Sequence, residues 1–313
     1  MILVTGGTGF IGSVLIRQLT AMGKPVRTLI RPSRKTPNLP RGVPIEVAVS
    51  SLRDERGLRA AMKGVDVVYH LAGSEWHGSK ANLMDVDILG TQAVARAASE
   101  SGVERIFFVS HLGADRASAY PVLKAKAIAE RHIRLSNIDF TIFRSALAYG
   151  LNDHFTIGLG ILLHAFPGLF LIPGDGSTLI QPIWVEDLVT CLIWALDDPA
   201  TRNQVFNIGG PEYIPFRKAL EDVMATINVQ RWITGVGPAY LRGLTVFLEQ
   251  LFPAFPVSVF WLDYLAANRT CSLDTVPRLF GLMPARFAQG IDYLKGQAWQ
   301  KNMWKMILRR HAN

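Results

Sequence analysis

Cysteine is nearly absent: Cys191 and Cys271 are the only thiols in 313 residues. Neither belongs to a paired spacing of the kind that builds a zinc site or a disulfide framework, so buried thiols in a reducing compartment and no resident metal are expected. Long unbroken apolar runs are missing as well. Residues 155–173 carry no formal charge and approach the length of a bilayer span, but Gly158, Gly160, Pro167 and Gly168 break them into a packed helix plus loop. Residues 244–262 are interrupted by Glu249, Pro253 and Pro256, and no transmembrane helix is predicted. There is no helix-turn-helix, no RNA-binding strand motif and no basic run interleaved with aromatics, which removes nucleic acid from the expected partners. A serine-hydrolase triad, a glycosidase-like carboxylate pair, internal repeats and low-complexity segments are all lacking. An apolar strand begins at Ile2, leaving no room ahead of it for a cleaved signal, so a cytoplasmic protein is expected.

What the chain has is positive charge on an apolar background. The formal net charge is +8 with 49% hydrophobic residues, and the mean hydropathy is +0.21. An anionic cofactor together with an anionic membrane surface accounts for that balance.

The most informative segment is Thr5-Gly6-Gly7-Thr8-Gly9-Phe10-Ile11-Gly12. It follows the short apolar run Ile2-Leu3-Val4 and precedes Val14-Leu15-Ile16-Arg17-Gln18-Leu19, which has helical spacing. The glycines therefore sit where a strand hands over to a helix. There Gly6 permits a tight turn, Gly9 lets backbone N–H groups approach a pyrophosphate, and Gly12 allows close packing of helix on strand. The helix dipole favours the negative charge.

Strand-like and helix-like stretches then alternate. Strands are predicted at 25–31, 45–49, 65–71, 105–110, 140–144 and 205–208, with helices between them, notably at 81–101 and 120–135. Such alternation predicts an α/β Rossmann fold, a doubly wound parallel sheet. Residues 1–150, with sheet contributions from about 180–210, form the expected nucleotide-binding domain. The remainder of 151–313 is expected to build a smaller, interleaved C-terminal lobe over the cofactor cleft that meets substrate or partner.

Over about the first 210 residues the chain resembles the extended or atypical short-chain dehydrogenase/reductase family. The resemblance rests on the glycine turn, Asp66-Val67-Val68-Tyr69-His70-Leu71-Ala72-Gly73, Gly90-Thr91, Phe143-Arg144, Tyr149-Gly150, Val185-Glu186-Asp187 and Phe206-Asn207-Ile208-Gly209-Gly210, in that order. Within the family it is most similar to the branch that includes the nucleotide-binding accessory subunit of respiratory complex I and its bacterial relatives. Arg31, the run from Val109 to Ala114, and the tail around Phe280-Gly281-Leu282-Met283-Pro284 support that placement. The resemblance implies a dinucleotide held by Gly6, Thr8, Gly9, Phe10, Ile11 and Gly12, with further contacts from Leu52, Leu71, Ala72, Gly73, Ser110 and Lys126.

An acidic residue at the end of the second strand would bind the ribose 2′-hydroxyl of NAD. This chain has Arg31 there, followed by Arg34 and Lys35. Such a cluster attracts a 2′-phosphate, so NADP(H) is expected in preference to NAD(H).

The family generally uses a Tyr as acid/base and a Lys one helical turn later. Tyr120 and Lys124 have that spacing. Ungapped alignment through Glu130 and Arg144 instead makes Lys126 the site lysine and puts Val122 in the tyrosine place. The two registers are incompatible, because Lys124 and Lys126 point about 200° apart on a helix; the Lys126 register is preferred, with Tyr120 near the cap. The family's Ser or Thr position falls on Leu112, and His111 is an alternative proton donor.

Two functions stay open. One is an NADP(H)-binding structural or assembly subunit that docks peripherally, on the cytoplasmic face of a membrane, to that surface or to a membrane protein complex, with weak or no catalysis. The other is an NADPH-dependent reductase of a small apolar carbonyl or quinone-like substrate. A basic terminal segment bearing Trp299, Met303, Met306, Ile307 and Arg310 at helical intervals fits an interfacial helix or one packed on its own domain.

Overall fold

The computed structural model describes residues 1–33, 37, 39–40, 42–252, 255–301 and 304. The chain divides into two compact units, one made of Met1–Ser74, Asn82–Ser145 and Val185–Ile208, the other of Glu75–Ala81, Ala146–Trp184 and Gly209–Asn313.

The first unit is the nucleotide-binding fold. In chain order it contains β1 (Ile2–Thr5), α1 (Phe10–Ala21), β2 (Val26–Ile30), β3 (Ile45–Val49), α2 (Glu55–Met62), β4 (Val67–His70), α3 (Leu89–Glu100), β5 (Arg105–His111), α4 (Pro121–Arg134), β6 (Asp139–Ser145), α5 (Val185–Asp197) and β7 (Gln204–Ile208). The seven strands lie in the order β7-β6-β5-β4-β1-β2-β3, and all their pairings are parallel. β1 is buried at every position, as a central strand covered on both faces must be. Its neighbours β2 and β4 belong to opposite halves of the sheet, which places a topological switch point at the carboxyl end of β1. Leu3, Leu58, Val68, Val94, Ile106 and Ile142 join in one buried apolar cluster of this unit.

Local chemistry explains the helix starts. Asp54 caps α2 by accepting from the Gly57 N–H at 3.0 Å. Pro121 opens α4 at a position where its missing N–H costs nothing. The single helix predicted over 81–101 is instead a π-helical turn, Leu83–Ile88, running into α3. Asn82 accepts from the Asp85 N–H at 3.1 Å and starts that wider turn, which buries Asp87.

In the second unit, residues 155–173 form the helix Thr156–Ala165 and the strand Leu169–Pro173, not helix plus loop. The strand pairs in parallel with Trp232–Val236; the apolar 244–262 stretch falls in the helices Pro238–Leu251 and Val259–Tyr264. Among the described residues no helix is long and apolar enough to cross a membrane. Burial pushes the Cys191 thiol up to about 12 and the Cys271 thiol up to about 11, so both are poor nucleophiles near neutrality. Trp299 is buried within this unit, its ring stacked on His164 at 5.3 Å. Of the two alternatives for the terminal segment, Trp299 takes the one packed on its own unit, while Met303, Met306, Ile307 and Arg310 lie outside the described residues.

Candidate functional site

The glycine turn sits at the switch point. Gly6 has φ 72°, and a Cβ there would lie 2.6 Å from the Leu71 carbonyl carbon and oxygen. The turn thus runs against the backbone that leads into Ala72 and Gly73, and the Leu71 N–H donates to Thr5 O at 3.1 Å to hold the two strand ends together. Thr8 and Gly9 are exposed, Phe10 and Ile11 half-buried, and Gly12 is buried. Gly9 is the N-cap of α1, with no side-chain cap and no acidic residue in the first turn. The first N–H groups of α1 therefore have neither an intrahelical acceptor nor a competing carboxylate. A cradle that a Cβ would fill, facing an anion-seeking helix terminus, fits a pyrophosphate.

Arg31 is exposed directly after β2, whose Leu29 pairs with Thr5. It lies on the same sheet edge as the glycine turn. Arg34 and Lys35 fall outside the described residues. Leu52, half-buried after β3, packs on α3, since a Cβ at Gly90 would come 2.9 Å from its Cδ1. The Val185-Glu186-Asp187 motif has a structural use in this unit: Glu186 accepts from Gln18 at 2.7 Å and pairs with Arg17, joining α5 to α1.

The inner face of α4 carries the charged groups. Lys126 is buried and Lys124 exposed. Val122, also buried, stands one turn before Lys126, whereas Tyr120 is the half-exposed N-cap of the helix. The Lys126 ammonium donates to Asp87 Oδ1 at 3.1 Å, and it sits 5.7 Å from the centre of the Phe108 ring. Asp87 Oδ2 accepts from the Ser74 N–H at 3.1 Å and from its hydroxyl at 2.7 Å. One turn after Lys126, Glu130 accepts from the Ser110 hydroxyl at 2.7 Å and pairs with Arg144. Ser110 is fully buried, so its hydroxyl is engaged inside the fold. Leu112 is buried and His111 half-buried at the end of β5.

Three participants escaped the sequence reading. Asp87 was not singled out, and His70 and Thr91 were seen only as family letters. The Thr91 hydroxyl donates to the Asp87 carbonyl at 2.6 Å and meets His70 Nε2 at 2.9 Å; His70 Nδ1 lies 2.7 Å from the Thr5 hydroxyl. A line of polar groups therefore runs from β1 to the Asp87–Lys126 pair. The four-residue spacing of Asp87 and Thr91 on a helix was the available signal.

Burial and the Lys126 charge hold His70 down to about 3, against an ordinary 6.5. Between those values the unfolded chain binds a proton that the folded chain refuses. Stability is accordingly expected to fall as pH drops through 6.5, by up to about 1.4 kcal/mol per pH unit from this group. Urea unfolding across the acid range should show a shallower pH slope in His70→Gln than in wild type; equal slopes would remove His70 as the cause.

Comparison with known proteins agrees with this geometry. A family model described as NAD(P)H-binding matches residues 6–154. The chain is 32% identical over 218 residues to NADH dehydrogenase (ubiquinone) 1 alpha subcomplex subunit 9, mitochondrial, of Arabidopsis thaliana, a match covering 67% of this chain and 53% of that protein. The chain thus spans about half the length of that curated relative. It is 40% identical over 300 residues to sterol demethylase protein B of Methylococcus capsulatus, covering 94% of this chain and 80% of the relative. Among solved structures, the triphenylmethane reductase of Citrobacter sp. complexed with NADP(H) superposes with a TM-score of 0.76 at 19% identity, covering 94% of this chain and all of that one, a likeness of fold. A nicotinamide dinucleotide is the cofactor supported by the glycine cradle and by the family match. The chain belongs to the extended short-chain dehydrogenase/reductase family and has homologues in the complex I alpha subcomplex subunit 9 branch.

Proposed function

We propose that the protein binds NADP(H) along the Gly6 to Gly12 turn as a structural or assembly cofactor, acts peripherally at a membrane complex on the cytoplasmic face, and lacks tyrosine-dependent catalysis. The observation that carries this reading is Val122, an apolar side chain one turn before the inward-facing Lys126. A phenol there would relay a proton; a valine has none to give. In this reading Lys126 meets the nicotinamide ribose, and the Asp87 carboxylate holds its ammonium. Arg31 supports the 2′-phosphate preference, Leu71 and Ala72 lie against the turn with Gly73 next in the chain, and the plant relative's name supports the membrane-complex setting. When bound, a nicotinamide dinucleotide supplies hydride transfer.

A second reading is favoured by the Methylococcus relative, whose similarity extends over most of both chains. Here the protein is a reductase acting on an apolar carbonyl or quinone-like substrate, with Tyr120 or His111 as the proton donor.

Native mass spectrometry of purified protein should show a retained dinucleotide bearing the third phosphate. Arg31→Ala should lower NADPH affinity by about tenfold to a hundredfold while NADH affinity holds, the loss of one charge-assisted hydrogen bond. NADPH oxidation with carbonyl and quinone acceptors should stay near the buffer rate. Turnover that collapses in Tyr120→Phe would establish the second reading, and an unchanged NADPH affinity in Arg31→Ala would remove the phosphate assignment.

A further inference from the structure

The second unit holds a cavity of about 350 Å³. Its wall is formed by leucine, phenylalanine, valine, proline and tryptophan side chains, with His154 and Thr245 as the polar members. His154 stacks on Trp76 at 5.0 Å, and burial holds its imidazole below the ordinary range, so it adds no charge to the cavity near neutrality. At the liquid packing of about 30 Å³ per small group, the space takes about a dozen heavy atoms. A compact polar metabolite would find almost no hydrogen-bond partners there, whereas a hydrocarbon chain needs none.

The mouth is identified by residues that line the cavity and still face solvent: the apolar Phe166, Leu169 and Leu244, together with the imidazole of His154. It opens within an apolar surface. On the helix Pro238–Leu251, Tyr240, Leu244, Phe247 and Leu251 recur at four- and three-residue intervals and share one face. Tyr240 is 82% exposed, Phe247 61% and Leu251 58%. Trp232, 83% exposed, stands beside Leu169 as its partner across the parallel strand pair. The orientation of this helix is fixed from the buried side, where Glu249 accepts from the Ser79 N–H at 3.1 Å and the Val259 N–H at 3.0 Å.

We propose that this cavity binds one hydrocarbon chain of a bilayer lipid, entering at Phe166, Leu169 and Leu244 while Trp232 and the Tyr240, Phe247 and Leu251 face rests on the membrane. The surface alone would also suit a protein partner. Three features favour lipid. The face is continuous with an apolar cavity of chain-like capacity, its most exposed members are Trp and Tyr, which partition to membrane interfaces, and the net charge of +8 suits an anionic bilayer. The proposal rests on the membrane part of the function proposed above and is independent of the dinucleotide part.

The test uses the full chain and two probes, bromododecanoic acid in solution and phosphatidylcholine–phosphatidylglycerol vesicles. The brominated acid should quench tryptophan fluorescence saturably, and Trp261→Phe, which removes a cavity-wall indole, should reduce the saturable part. Thr245→Phe, which fills the cavity, should weaken the acid about tenfold, as should Leu159→Phe from another helix of the lining. Phe247→Glu combined with Leu251→Glu, both on the exposed face, should leave acid binding intact and reduce vesicle flotation about tenfold. Quenching that never saturates, or equal acid affinity in both filled variants, overturns the cavity assignment. Wild type that fails to float assigns the face to a protein partner and overturns the bilayer contact, as does flotation unchanged by the paired glutamates. NADPH affinity measured in every variant reports folding of the first unit and keeps failure here separate from failure of the dinucleotide reading.

Discussion

Replacing Gly12 by valine is expected to lower dinucleotide affinity by about a hundredfold or more while leaving the sheet assembled. A Cβ at this buried position would come 2.9 Å from both the Gly6 carbonyl carbon and the Gly7 Cα, and closer still to the Gly6 oxygen. These are backbone atoms of the turn itself, so relief requires the turn to move off the start of α1. That movement re-aims the N–H groups of the first helical turn, and each charge-assisted hydrogen bond lost to a phosphate is worth about 1.5–3 kcal/mol. Two such losses reach the expected factor. Overpacking should also cost about 1–3 kcal/mol of stability. Nucleotide titration beside urea unfolding separates the effects, and unchanged affinity in a folded Gly12→Val would move the phosphate site away from this turn.

Lys126→Met is expected to give the largest loss of stability, about 3–5 kcal/mol, because it strands the Asp87 carboxylate inside the first unit. Both partners of this pair are buried. Ser74 still donates two hydrogen bonds to the carboxylate, which places the expected value toward the lower end of that range. Asp87→Asn added to Lys126→Met removes the stranded charge and keeps an acceptor for Ser74. The double variant should therefore be more stable than Lys126→Met alone, a coupling that two independent sites would not show. Denaturant unfolding of the wild type, both single variants and the double variant measures it. Additive losses would mean that Lys126 and Asp87 do not act as a pair.

The Lys126 pair also shows how far the site was legible. Residue spacing placed Lys126 and Lys124 on opposed faces of one helix, since that depends only on helical pitch. Which of the two turns inward depends on what covers the helix, and the packing of α4 on β5 and the π-helical turn made Lys126 the buried one. The four-residue spacing of Asp87 and Thr91 was the one linear hint of Asp87, and the pattern otherwise reads 81–101 as one regular helix, which does not show that Asp87 meets Lys126. A locally widened turn changes the direction of every side chain it contains. Ser110 illustrates the opposite case: its position at the end of β5 was readable, but the burial of its hydroxyl against Glu130 was not.

The sequence by itself determined the alternation of strands and helices, the glycine turn at the first β-to-α transition, and the basic residue after the second strand. These are local facts, set by apolar periodicity, by the absence of a Cβ and by charge at one position. Tertiary structure decided which groups meet. It joined Thr5, His70, Thr91, Asp87 and Lys126 in one polar line within the first unit, and it turned residues 232–251 of the second unit so that they present an apolar face around a cavity. Burial and partnership depend on residues far apart in the chain, and a helix face has no inside or outside until something packs against it.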